Sequence, residues 1–146
     1  MTTDKQVVTS LEKMHTKHVR HFYRSIADIN LELVKIHKSI ELDIDKEKYR
    51  HATNYVNEFI SYTTVWNVKF VYNLESPEIA MLQLFHLEYI FENEPINRFS
   101  KERLIFTEQK EKFNSLNAFK PEHIAIRKQK MRDYIAEHEH PTNLPE

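Results

Sequence analysis

Residues 59–74 read Phe-Ile-Ser-Tyr-Thr-Thr-Val-Trp-Asn-Val-Lys-Phe-Val-Tyr-Asn-Leu, and the period assigned to them decides between an all-α chain and a mixed one. At helical spacing, Tyr49, Ala52, Val56, Phe59, Thr63, Trp66, Phe70 and Leu74 share one face of a helix running from Lys46 to Leu74. At a period of two, Ile60, Tyr62, Thr64, Trp66, Val68, Phe70 and Tyr72 alternate with Ser61, Thr63, Asn67 and Lys69, and β-branched and aromatic residues favour strands. A strand needs a partner to satisfy its backbone, and no other window alternates in this way. The helical period is therefore adopted.

Downstream, Ser76-Pro77-Glu78 is a helix start: serine caps, proline fits a first turn whose N–H groups lack partners, and Glu78 faces the positive end of the helix dipole. The helix it opens runs to about Glu92 with apolar residues on almost every side. This predicts either a central buried helix or one also covered by a second subunit. Pro95 stops it. Ser100 is placed as the cap of a fourth helix to about Leu116, and Lys120-Pro121-Glu122 opens a fifth with a thinner apolar face.

Upstream, Val7, Leu11, Met14, Phe22, Ile26, Ile29, Leu33, Ile36 and Ile40 recur mostly in steps of three and four, which predicts one amphipathic helix from Asp4 to about Ile40. Such a helix would be longer than a bundle of this mass needs, so it protrudes, breaks or packs against another chain. Asp45 is placed as the cap of the helix that follows. The expected fold is an all-α bundle of four to five helices with a long N-terminal helix, as a single domain over residues 1–138 with a flexible C-terminal tail over 139–146.

Composition removes several chemistries. The 146 residues contain no glycine, so phosphate-cradling loops, dinucleotide turns and tight primed hairpins are disfavoured. Asparagine remains able to occupy a left-handed turn or helix end. The absence of cysteine removes thiol nucleophiles, sulfur-ligated zinc, iron–sulfur clusters and disulfides. No stretch is long and apolar enough for a membrane span, and Met1 to Lys5 carries no signal pattern, which predicts a cytoplasmic protein without membrane contact. The 21 lysines and arginines balance 22 acidic residues, against a dominant basic footprint. A small protein of a virus or mobile element would suit this composition.

Three sets of residues could carry function. Tyr62, Trp66, Phe70 and Tyr72 crowd one segment, and aromatic residues dominate the energetics of protein interfaces. Arg127, Lys128, Lys130 and Arg132 concentrate charge on the fifth helix and would suit phosphate contacts to nucleic acid. Glu12 and His15 have the Glu-x-x-His spacing of carboxylate-bridged metal bundles, and His18 shares the face of His15, so a divalent metal could be held there. Arg132 and His138 also fit the Arg-to-His spacing of the HEPN family of helical ribonucleases. Seven arginines and nine histidines suffice to produce that spacing by chance, and no membership is inferred. The expectation is a non-enzymatic regulatory protein that binds another macromolecule, most simply a protein, and self-associates as a homodimer; a metal protein or enzyme at Glu12, His15 and His18, and a nucleic-acid binder through residues 120–132, are the alternatives.

Overall fold

A computed structural model describes residues 4–64 and 74–139, with side chains over 17–59 and 74–139. Five α-helices and no strand occur among the described residues: α1 (Asp4–Ile40), α2 (Arg50–Thr64), α3 (Pro77–Asn93), α4 (Ser100–Ser115) and α5 (Pro121–Glu139). The all-α bundle with a long first helix expected from the sequence is the fold. Residues 65–73, which include Trp66, Phe70 and Tyr72, lie outside the described residues, as does the side chain of Tyr62.

The core forms around α3, which packs against α1, α2 and α4, while α4 also lies along α1 and α5 along α2. Ile79 to Leu87, Ile90 and Phe91 are all buried, so the apolar surface that surrounds α3 is covered within one chain. Ser76 accepts a hydrogen bond from the Ile79 amide at 3.3 Å, with Pro77 in the first turn, as the sequence predicts. Asn30 anchors this end of α3 to α1. Its amide donates to the Leu74 and Ser76 carbonyls at 2.6 and 3.1 Å, and its oxygen accepts from Gln83 at 2.7 Å.

α1 contributes Ile26, Ile29, Leu33, Ile36 and Ile40 to the core, each no more than 2% exposed. Up to Phe22, which is half-buried against the core, the same helix leaves the bundle: Lys17, His18, Val19, Arg20 and His21 are all exposed, so this turn is without cover among the described residues. A helix of 37 residues extends about 55 Å at 1.5 Å per residue, whereas the 17 residues of α3 extend only about 25 Å. The packed half nucleates the helix, and each further residue then adds a hydrogen bond at little cost.

Two helix starts differ from the sequence reading. Asp45 accepts hydrogen bonds from the Glu47 and Lys48 amides at 3.0 and 3.4 Å, but what it caps is a turn, and α2 begins at Arg50. Ser100 is the first residue of α4 rather than its cap. Phe99 occupies the cap position in the left-handed region (φ 60°), and the Ser100 hydroxyl donates to the Asn97 carbonyl at 3.2 Å. Phe99 is held there by its ring against Phe91 and by the Arg98 guanidinium 4.5 Å from its centre. Asn117 takes the second left-handed position (φ 51°), just past α4, the role glycine usually fills.

Glu94, at the C-terminal end of α3, ties two turns together. Its carboxylate accepts from the Tyr49 hydroxyl, from Lys48 at 3.3 Å and from Arg98, while Arg98 also reaches the Asp43 carbonyl. Burial pushes the Glu94 carboxyl up, and these donors more than reverse it, leaving it below the usual carboxylate range. No helix among the described residues is long and apolar enough to cross a membrane.

Candidate functional site

The cations singled out on α5 are turned inward in electrostatic terms. Arg127 pairs with Glu78, Lys128 with Glu88, and Arg132 with Glu92 at 3.1 Å, all three carboxylates lying on α3. Arg127 also lies 5.8 Å from the centre of the Phe59 ring. Glu88 is shared, since Lys110 of α4 reaches it at 2.7 Å. Burial raises the Glu88 carboxyl, and the two lysines outweigh burial and lower it. Of the predicted phosphate-binding set, Lys130 is exposed and takes part in no ion pair among the described residues. α5 buries little apolar surface, Met131 and Ile135, so these pairs help seat it on α3.

The predicted metal residues lie on α1. His18 is exposed, and the side chains of Glu12 and His15 fall outside the described residues. No group of three or more histidine, aspartate or glutamate side chains spaced to hold a metal occurs among the described residues. Arg132 is engaged with Glu92, and the His138 ring stacks on Tyr134 with centres 4.0 Å apart, so the two members of the Arg-to-His spacing have separate partners.

What the fold does bring together is a groove of about 500 Å³ between α1, α2 and α3. His37 and His86 meet in it with ring centres 4.8 Å apart, and the Thr53 hydroxyl shares a hydrogen bond with His86 Nε2 at 3.1 Å. Burial, reinforced by the neighbouring His86 ring, pulls the His37 imidazole down to about 3, against a hydrogen bond to the Gln83 backbone. Burial also pulls His86 down to about 4. Both rings are therefore neutral at pH 7. A hydroxyl beside an imidazole resembles an activated nucleophile, yet burial makes His86 a weaker base than a free imidazole, and its neighbour is a second neutral imidazole rather than a carboxylate. The one local sign of this pair is His86 inside the most apolar stretch of the chain.

α1 supplies the second arrangement. Lys17, Arg20 and Arg24 are exposed and take part in no ion pair with described residues, in contrast to the paired cations of α5. Comparison with family models, with curated proteins and with solved structures gave no match, so geometry alone informs function.

Proposed function

We propose that this chain is a non-enzymatic interaction protein that acts by binding another macromolecule and works as a homodimer. The bundle serves as the platform, and the projecting half of α1 is the binding element. The observation that carries this reading is the unbroken continuation of α1 beyond its packed half, with the turn from Lys17 to His21 exposed all round. A helix held out in this way costs the chain solvent-exposed backbone hydrogen bonds and returns little core burial, which suits a surface completed by a partner.

Two observations weigh against catalysis. The neutral His37 and His86 make weak bases, and the α5 cations are engaged by carboxylates of the same chain. Tyr62, Trp66, Phe70 and Tyr72 remain a sequence-based candidate for a further apolar contact. Light scattering coupled to size exclusion over a concentration series tests the homodimer. The reading expects twice the 17.7 kDa chain mass, about 35 kDa, giving way to monomer on dilution; a monomer at every concentration removes it.

A further inference from the structure

Charge is sorted along the outer face of α1. Lys17, Arg20, His21 and Arg24 are exposed, and at about 100° per residue they fall within an arc of roughly 100°, turned away from Ile26, Ile29, Leu33 and Ile36. The same face continues through Asp28, Leu31, Glu32 and Lys35. Two arginines four residues apart are thus followed by two carboxylates four residues apart. Beside those carboxylates a groove of about 620 Å³ opens between α1 and α4, lined by Asp28, Glu32 and Glu108 and edged by Lys112. Arg20, Arg24 and Asp28 have no ion-pair partner among the described residues, and Glu32 has only the exposed Lys35 on the next turn, at 3.1 Å.

We propose that this face binds a second copy of the chain, with the two α1 helices antiparallel about a two-fold axis that crosses the outer face midway between Arg24 and Asp28. Arg24 then faces Asp28 of the second copy, and Arg20 faces Glu32. In a two-fold contact each pairing occurs twice, so the identical four-residue spacings place four ion pairs in register. A parallel arrangement would set arginine against arginine. Leu31, 42% exposed, comes opposite His21 and adds apolar contact. Lys17 falls opposite Lys35 at the ends of the contact, where water screens both and Glu32 stands beside Lys35.

Exposed ion pairs contribute little each, so the charges fix orientation and register more than they supply affinity. Three cations without an ion pair among the described residues would also suit a phosphate backbone, but Asp28, Glu32 and Glu108 follow on the same side and would repel one laid along the helix. The pattern favours a partner whose own charge reverses at the same point, which a second copy run antiparallel provides.

This inference rests on the homodimer reading, and one experiment separates their failures. Mass in solution is measured by light scattering for the full chain, for Arg20→Glu with Arg24→Glu, for Asp28→Lys with Glu32→Lys, and for an equimolar mixture of the two variants. Thermal melts establish that both variants fold. The expected result is a dimer for the unaltered chain, association at least tenfold weaker for each variant alone, and a dimer restored in the mixture, where an all-acidic face meets an all-basic one. Variants as dimeric as the unaltered chain overturn this face while leaving the homodimer intact. An unaltered chain that stays monomeric overturns both, and if it also binds a duplex DNA oligonucleotide through Arg20 and Arg24, the face belongs to a polyanion.

Discussion

Between Ser25 and Ile40, α1 buries five isoleucine and leucine side chains and the fully enclosed Asn30; between Lys17 and Arg24 the same helix lays only the half-buried Phe22 against the core. One half is held by its surroundings and the other by the helix it continues. α5 extends the contrast to charge. Its arginines and Lys128 look like those of α1 in sequence, yet α3 places a carboxylate opposite each of them, and the α1 cations have no such neighbour among the described residues. A count of cations therefore does not locate a binding surface; what matters is which of them the fold has already neutralised.

The largest single effect should come from the packed half. Asn30→Ala would strand the Gln83 amide and the carbonyls of Leu74 and Ser76 in the interior, and should lower stability by about 2–4 kcal/mol in urea denaturation. A loss near zero would mean that α3 does not depend on this anchor.

Histidines repeat the contrast, since His86 is buried and His37 half-buried against it while His18 and His21 are exposed. The first pair bind protons less readily when folded, at about 3 and 4, than when unfolded, near 6.5. The unfolded state therefore gains protons first as pH falls, and stability declines from about pH 6.5 downward until the folded values are reached. Between pH 7 and 5.5 the decline should be roughly 2 kcal/mol, and His37→Leu should flatten it. Below about pH 4.5 the lowered carboxyls of Glu88, Glu94 and Glu102 add a second decline with the same sign. A urea midpoint that does not move between pH 7 and 5.5 would contradict the desolvation of the pair.

Glu88→Ala releases Lys110 and Lys128 together and should cost about 1–2 kcal/mol, the modest size reflecting partly exposed lysines. The smallest effect is expected on α1. Lys17→Ala, Arg20→Ala and Arg24→Ala combined should change monomer stability by no more than about 0.5 kcal/mol. Comparable losses from the α1 and α5 changes would erase the distinction between free and neutralised cations.

Much of the fold was legible because the decisive signals are local. The three- and four-residue recurrence from Val7 to Ile40, the Ser76-Pro77 start and the Pro121 start each lie within a few residues of the boundary they set, and the helices begin or end there. Misplaced starts had non-local causes. The left-handed Phe99 depends on Phe91 and Arg98, and the turn before α2 depends on Glu94, which gathers Lys48 and Tyr49 from far along the chain. The site was less legible for the same reason: His37 meets His86, and Arg132 meets Glu92, only after the helices pack. α3, whose apolar surround admitted a second subunit, is covered by its own chain, so the case for self-association now rests on α1.

Amide hydrogen exchange along α1, followed as protein concentration is raised, tests most directly the claim that one helix is anchored in one half and available in the other. Dilute protein should show slow exchange from Ile29 to Ile40 and fast exchange from Lys17 to Arg24, with the second stretch gaining protection as the chain associates. Uniform protection from Lys17 to Ile40 at every concentration would contradict it, because the outer half would then be part of the bundle.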